Sequence, residues 1–135
     1  MKKILVGTDT TASADLAVQR AAELARLAEA ELVVVNVRSN GAQHDVADPK
    51  KAADPDRYLA EMPRRFPQVD VRTRSESGDP AERLVEIAET ERADTIVLGN
   101  RGTHGSWWRV RESVPNLVLR HAPCSVIIVD TRTAQ

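Results

Sequence analysis

Two short segments of the chain combine glycine with polar side chains that suit a phosphate or a sugar. The first is Gly7-Thr8-Asp9, and the second runs from Gly99 to Ser113, with further glycines at positions 102 and 105. Glycine lets backbone N–H groups approach a phosphate because no Cβ stands in the way. Asp9 supplies a carboxylate that accepts hydrogen bonds from a ribose hydroxyl or an adenine amino group. These residue types therefore favour binding of a polyanion or a nucleotide.

The same segments also have simpler structural explanations. Glycines three positions apart are common, and an aspartate that follows a strand often caps a helix instead of binding a ligand. The ligand hypothesis gains support from a helical pattern that starts near Ser113. The first turn of that helix would present free N–H groups and a positive dipole end at Ser113 and Val114.

The remaining reactive side chains are isolated from one another in the sequence. His44, His104 and His121 lack the spacing of metal ligands, and His121 is interpreted as structural. Cys124 is the only cysteine, so we interpret it as a small buried residue that opens a strand. No Ser-His-acid or Cys-His arrangement can be assembled. The sequence therefore predicts neither a metal site nor a catalytic centre.

The composition is that of an ordinary globular protein without a strong electrostatic preference. The 135 residues, 41% hydrophobic and 29% charged, fit one domain spanning residues 1–135. A net charge of −1 gives no field that would recruit nucleic acid or an anionic membrane. Asp9 interrupts the apolar start too early for a secretory signal, and no stretch reaches the roughly 18–20 apolar residues of a membrane span. We therefore expect a cytoplasmic protein.

Five apolar runs alternate with helical patterns, which is typical of βαβ units around a parallel sheet. We predict strands at residues 3–8, 31–37, 69–75, 94–98 and 124–129. The third run alternates apolar and polar residues, as expected of a strand with one wet face at the edge of a sheet. The fifth run is apolar up to Asp130 and carries no protecting charge. An unprotected edge of this kind favours pairing with a second copy of the chain through residues 124–130.

Capping residues and prolines predict where the two clearest helices begin. Thr11 or Ser13 caps a first helix that reaches about residue 30, and Asp79-Pro80 with Glu82 forms a capping box for the third. Each has an apolar face at helical spacing. These faces consist of Ala17, Ala21, Leu24, Ala25 and Ala28 in the first helix, and Ala81, Leu84, Val85 and Ala88 in the third.

The other two predicted helices are shorter. Asp54-Pro55 starts the second helix, which Pro63 is expected to end. The last helix starts near Ser113 and ends before Pro123. Their apolar faces are formed by Tyr58, Leu59 and Met62 in the second helix, and by Val114, Leu117, Val118 and His121 in the last. Residues 39–53 show no period and are predicted to be a surface loop.

These elements predict a doubly wound α/β fold. Right-handed crossovers wind the five parallel strands in the order 3-2-1-4-5, with helices on both faces in a three-layer α/β/α arrangement. The winding reverses between strands 1 and 4, so a crevice opens beyond their carboxyl ends. Both glycine-containing segments are delivered to that crevice.

With these segments in place, the whole chain resembles the universal stress protein family. The matching segments are Lys3-Ile-Leu-Val-Gly-Thr-Asp9, Gly78-Asp-Pro-Ala-Glu82, Ala93-Asp-Thr-Ile-Val-Leu-Gly-Asn-Arg-Gly102 and Leu119-Arg-His-Ala-Pro-Cys-Ser-Val-Ile-Ile-Val129. The resemblance implies a Rossmann-like fold of the adenine nucleotide alpha hydrolase-like type, usually dimeric through the last strand. It also implies two branches. One binds ATP or a related adenine nucleotide through a motif G-x2-G-x9-G-[S/T], and the other lacks the motif.

Carried over position by position, the resemblance implies a set of nucleotide contacts. Thr8 and Asp9 would contact adenine and ribose, and Val37 would line the adenine pocket. The phosphates would be bound by the glycine loop and the start of the last helix, through Gly99, Arg101, Gly102, Ser113 and Val114.

One position breaks the family motif. Glu112 stands at its third glycine, followed by the expected Ser113, and Pro115 replaces a hydroxyl residue of some binders. A carboxylate about 5 Å from a phosphate charge costs about 3 kcal/mol at an effective dielectric near 20. A helix N-terminus stabilises a nearby negative charge by only about 0.3–2 kcal/mol. We therefore expect weakened ATP binding, with AMP or cyclic AMP less penalised, unless a bound Mg²⁺ bridges Glu112 to the phosphates.

Two functions therefore remain open, and an enzyme such as a weak ATPase ranks behind them. The first is a stress or signalling protein that senses or sequesters an adenine nucleotide. The second is a dimeric interaction module, in which Glu112 indicates that the nucleotide site has been lost. Trp107 and Trp108 favour packing on the domain, with a lid or a partner contact as the alternative.

Overall fold

The computed structural model describes residues 1–39, 54–100 and 113–131. Within these ranges, strands and helices alternate along the chain. The strands are β1 (Lys3–Gly7), β2 (Glu31–Arg38), β3 (Asp70–Ser77), β4 (Thr95–Gly99) and β5 (Ser125–Val129). Their boundaries agree closely with the predicted ones, and the number and order of strands along the chain are confirmed.

The helices are α1 (Ala12–Ala28), α2 (Pro55–Ala60), α3 (Met62–Arg65), α4 (Pro80–Glu91) and α5 (Val114–His121). A short polar side chain caps the amino end of each of the three longest. Thr11, Asp79 and Ser113 each accept a hydrogen bond from the backbone N–H three residues further on. Thr11, not Ser13, is thus the cap of α1.

All five strands are parallel and form one sheet in the order β3-β2-β1-β4-β5, as predicted. In the centre of the sheet, Val6 of β1 pairs with Val34 of β2 and Val97 of β4. The half-polar β3 lies at one edge and β5 at the other.

Helices cover both faces of the sheet, and each face has its own core cluster. Ile4 and Val34 point to the face covered by α1, α2 and α3. Leu5 and Val33 point to the opposite face, which α4 and α5 cover. The helix that follows β1 and the helix that follows β4 therefore leave these neighbouring strands on opposite faces. The chain is thus a three-layer α/β/α, Rossmann-like fold.

Some predicted details of the helices were wrong. Pro63 does not end the second helix but occupies the first turn of α3, where proline is tolerated because its missing N–H would have no partner there. Ala28 and His121 lie in the last turns of α1 and α5 and are exposed. Helical periodicity specifies the direction of a side chain but not how far the sheet extends beneath it.

Several predicted features lie outside the described residues. They are the loop at 40–53, Arg101 and Gly102 of the phosphate loop, the tryptophan pair and Glu112. Within the described ranges, no helix is both long and apolar enough to cross a membrane. The same ranges contain no cluster of three or more His, Cys, Asp or Glu side chains arranged for a metal ion.

Candidate functional site

The carboxyl ends of β1 and β4 form the floor of the predicted crevice. Because Val6 pairs with Val97, continuation of the register brings Thr8 level with Gly99. The chain after β1 enters α1 on one face of the sheet, whereas α5 lies on the other. We call the space beyond these two strand ends the crevice.

Asp9 lies in the tight turn that connects β1 to α1. Its Oδ1 atom accepts hydrogen bonds from the Thr11 N–H at 3.1 Å and from the Thr11 hydroxyl at 2.6 Å. Burial raises the pKa of Asp9 to about 6, and the hydrogen bonds from Thr11 offset only part of that effect. The residue is nevertheless partly exposed. It is therefore a fixed, poorly hydrated acceptor, which suits a hydroxyl or amino donor on a ligand.

Thr8 supports this turn from beneath. Its N–H donates to the Val35 carbonyl, its carbonyl accepts from Asn36 Nδ2, and its hydroxyl accepts from the Thr10 N–H, each at 2.9 Å. Thr8 is only 1% exposed. Its side chain thus faces the protein interior, whereas Asp9, the next residue along the chain, is partly exposed.

Neighbouring side chains pack closely against the two strand-end glycines. A Cβ at Gly99 would lie 2.8 Å from Thr131 Cγ2, and one at Gly7 would lie 3.0 Å from δ-carbons of both Leu84 and Leu98. A side chain at Gly99 would therefore force Thr131 to shift, and one at Gly7 would require the two leucines to give by a few tenths of an ångström. Glycine at these positions is therefore explained without a ligand, although it also keeps the end of β4 free of side chains.

The end of β4 is fixed to the end of β5 by Asn100. The Asn100 N–H donates to the Val129 carbonyl at 3.0 Å, and Asn100 Oδ1 accepts from the Thr131 N–H at 3.1 Å. These bonds hold Gly99 in place immediately before the rest of the predicted phosphate loop, which lies outside the described residues.

The amino end of α5 offers fewer N–H donors than an ordinary helix. Ser113 Oγ accepts from the Asn116 N–H at 3.3 Å, and Pro115 in the first turn has no N–H. Among the first three helical residues, the Val114 amide is the one that no described bond uses. The Val114 side chain itself is buried against the core. Any phosphate at this helix end would therefore meet the Ser113 cap and one helical N–H.

Val37 lies near the carboxyl end of β2, next to Glu76 of β3. Its side chain is 7% exposed and belongs to the core cluster beneath α4 and α5. Because β1 lies between β2 and β4, Val37 is two strands away from Gly99.

Sequence reasoning missed two polar residues, Asn36 and Tyr58, that form hydrogen bonds near the β1–α1 turn. Asn36 is buried in β2, where its Nδ2 reaches Thr8 and its Oδ1 has no partner among the described residues. The available signal was a single polar residue inside an apolar strand run. The Tyr58 hydroxyl donates to Asp15, 43 positions away in sequence, a pairing for which no local signal exists.

Comparison with known proteins gives the same family along nearly the whole chain. A sequence model of the universal stress protein family matches residues 1–130. A candidate universal stress protein of Staphylococcus aureus is 29% identical over 140 residues, which cover 96% of this chain and 84% of the relative.

Solved structures of universal stress proteins are similar to the fold. One, in complex with cAMP, is 31% identical with a TM-score of 0.77, and the match covers 96% of this chain and 97% of that one. Another, from Burkholderia pseudomallei, is 31% identical with a TM-score of 0.71 and 95% coverage of both chains.

Proposed function

Because the chain belongs to the universal stress protein family, we propose that it binds an adenine nucleotide in the crevice between β1 and β4. The observation that carries this proposal is Asp9, a poorly hydrated carboxylate held by Thr11 where the winding of the sheet reverses. The 31% identical universal stress protein solved with cAMP indicates which ligand class to test first.

In this proposal the nucleotide extends from the end of β2 to the start of α5. Asp9 accepts hydrogen bonds from ribose hydroxyls or from the adenine amino group, with Thr8 beneath it and Val37 lining the base. The phosphate is bound by Gly99, Arg101, Gly102, the Ser113 hydroxyl and the Val114 N–H.

We further propose that AMP and cyclic AMP bind more tightly than ATP. The start of α5 has lost one N–H to Pro115 and a second to the Ser113 cap, so it offers little to a chain of phosphates. Glu112 stands where the family motif has its third glycine and adds negative charge. Mg²⁺ would reduce this discrimination by bridging Glu112 to the phosphates.

A second candidate function is an interaction module that binds no nucleotide. The specific observation in its favour is the same shortage of N–H donors at α5, combined with Glu112 in the motif. In that case Asp9 would serve only the turn into α1, through its bonds to Thr11.

Calorimetric titration distinguishes the two functions. Wild-type protein and Glu112→Gly are titrated with cyclic AMP, AMP and ATP, each with and without Mg²⁺. We expect wild type to bind AMP or cyclic AMP, and Glu112→Gly to gain up to about a hundredfold in ATP affinity from the removed repulsion. An ATP affinity unchanged by the substitution would contradict the role given to Glu112. If no adenine nucleotide binds wild type, the interaction module is favoured.

We also propose that the protein is a homodimer paired through residues 124–130. The edge strand β5 carries Ile128, which is 36% exposed, and nearby α5 carries the exposed Leu119. The opposite edge, β3, is covered by ion pairs. Because the β5 edge is apolar and the opposite β3 edge is charged, self-association through β5 is favoured.

For the biological role, we propose binding rather than catalysis. Residues 1–135 would form one cytoplasmic domain that senses or sequesters its nucleotide in a stress response or in signalling. The expected result is that AMP or ATP incubated with the protein is recovered chemically unchanged, as chromatography of the mixture would measure.

A further inference from the structure

Asn100, the first residue after β4, has a carboxamide whose orientation is fixed by Thr131. Its Oδ1 atom accepts hydrogen bonds from the Thr131 N–H at 3.1 Å and from the Thr131 hydroxyl at 3.4 Å. Because a backbone N–H can only donate, the oxygen of the carboxamide must face Thr131, and the NH2 group must face away from that bond. The Asn100 N–H donates to the Val129 carbonyl at 3.0 Å, which fixes the backbone as well.

The NH2 group of Asn100 supplies two hydrogen-bond donors that the fold itself does not use. Within residues 1–39, 54–100 and 113–131, no hydrogen bond has Asn100 Nδ2 as its donor. Asn100 is also partly exposed. By contrast, Nδ2 of the buried Asn36 donates to the Thr8 carbonyl. Asn100 can therefore donate to a ligand without breaking a bond that holds the fold together.

Asn100 lies beside Asp9 at the floor of the crevice. Because Val6 pairs with Val97 on the neighbouring strands β1 and β4, continuation of the register brings Asn100 level with Asp9. A carboxylate acceptor from β1 thus stands next to a carboxamide donor from β4. Neighbouring strands are about 4.8 Å apart, so this pair matches a ligand whose hydroxyl group and anionic oxygen are separated by about 5 Å. The ribose and the first phosphate of a nucleotide have this relation.

We propose that Asn100 is a phosphate-binding and specificity-determining residue of the crevice, whose Nδ2 donates to the first phosphate of the nucleotide while Asp9 accepts from the ribose. The inference rests on the proposed nucleotide binding and adds a contact to it. A neutral carboxamide satisfies one phosphate oxygen but does not neutralise the charge of further phosphates. The ligand class that fits is therefore a nucleoside monophosphate, linear or cyclic.

The test is Asn100→Asp, which replaces the NH2 group by an oxygen and keeps the shape of the side chain. The carboxylate can still accept both Thr131 bonds, so the fold is retained, but it offers no donor and adds a negative charge. AMP affinity should fall by about tenfold or more, because a hydrogen bond to a charged group is lost. Adenosine, which lacks the phosphate, should bind the variant as it binds wild type. Calorimetric titration measures both affinities.

Gln68→Glu is the matched control. It makes the same change from amide to carboxylate at an exposed residue that precedes the amino end of β3, whereas Asn100 follows the carboxyl end of β4. Both affinities should therefore remain those of wild type. NMR gives a second readout, since the side-chain NH2 signals of Asn100 should shift when AMP is added but not when adenosine is added.

Two results would overturn the inference while the proposed nucleotide binding stands. One is that Asn100→Asp weakens AMP and adenosine equally, as expected of a residue that only supports the end of β4. The other is that wild type binds AMP and Asn100→Asp binds it equally well. Failure of wild type to bind any adenine nucleotide is a separate result, which overturns the proposed function together with this contact.

Discussion

Two aspartates of α1 and its preceding turn show how neighbours decide the effect of burial. Among the described residues, the hydrogen-bond donors to Asp9 are Thr11 and the Asp9 backbone, and burial raises the pKa of Asp9. Burial alone would also raise the pKa of Asp15, but hydrogen bonds from Arg65, Tyr58 and Gln19 lower it overall. Asp15 is thus a structural ion partner, whereas ionised Asp9 is held at a cost to stability. Residues of this second type are enriched at binding sites.

The first prediction is that Asp9→Asn stabilises the protein at neutral and higher pH. Folded wild type binds the Asp9 proton more tightly than the unfolded chain does, so its free energy of unfolding falls as pH rises from about 4 to about 6. Asparagine carries no charge and can still accept both Thr11 bonds. We expect a gain of about 1–2 kcal/mol at pH 8 and little difference at pH 4, measured by urea unfolding.

Asp15→Asn is the matched control for this prediction. Because the pKa of Asp15 is lowered in the folded state, this variant should lose stability at neutral pH, and the loss should shrink toward low pH. Asp9→Asn should also weaken nucleotide binding, a trade of function for stability. Equal pH profiles for Asp9→Asn and wild type would contradict the description of Asp9 as a destabilising charge.

At the scale of the element, α5 combines a good cap with a poor anion site. The Ser113 side chain occupies the Asn116 N–H, and Pro115 starts the helix well because its fixed φ is helical. Both features stabilise a helix of only eight residues. Both also remove donors from the end that faces the predicted phosphates. The features that stabilise α5 therefore reduce the number of N–H groups that it can offer to a phosphate.

The second prediction follows from that competition. Pro115→Ala adds one N–H to the first turn of α5 and should strengthen AMP binding by roughly three- to tenfold, as expected for one added hydrogen bond to a charged group. Adenosine, which lacks the phosphate, should bind as it does to wild type. Calorimetric titration with both ligands gives the comparison.

Asn116→Ala is the control, since it changes the same turn without adding a donor and keeps the backbone N–H that Ser113 caps. It should leave both affinities unchanged. If Pro115→Ala also fails to change AMP affinity, the start of α5 does not contact the phosphate.

For the whole molecule, the two sheet edges differ in chemistry. At the β3 edge, Arg74 forms an ion pair with Glu91 at 2.9 Å, and Arg83 forms one with Glu76 at 2.7 Å. Arg72 also forms an ion pair with Glu91. Charged side chains along an edge oppose pairing with another sheet. At the β5 edge, Val126, Ile127 and Val129 are partly exposed and Ile128 more so. Only the β5 edge therefore suits a second copy of the chain.

The third prediction is that Ile128→Lys converts a dimer into a monomer. A lysine on the edge strand adds a charge that pairing would bury, whereas in the monomer this exposed position tolerates it. Leu27→Lys is the control, because Leu27 is 68% exposed and lies on α1, outside the strand proposed to pair. Light scattering at micromolar concentration should find wild type and Leu27→Lys dimeric and Ile128→Lys monomeric. A monomeric wild type would contradict the proposed pairing.

Local chemistry along the sequence determined the strands, the sheet order and the caps of the longest helices. Apolar runs and capping residues act within a few positions, and right-handed crossovers leave few ways to wind five parallel strands. The crevice between β1 and β4 followed from that order, and so did the nomination of Asp9 and Gly99. Position in sequence was enough to bring these residues to the carboxyl end of the sheet, beside each other on neighbouring strands.

Only the tertiary structure decided what those residues do there. It placed Thr8 beneath the turn, gave Gly99 a packing reason through Thr131, and assigned the Asn116 N–H to Ser113. It also joined Tyr58 to Asp15 across 43 residues of sequence. Burial and hydrogen-bond partners depend on what the rest of the chain places around a residue, and no local pattern encodes contacts between elements so far apart.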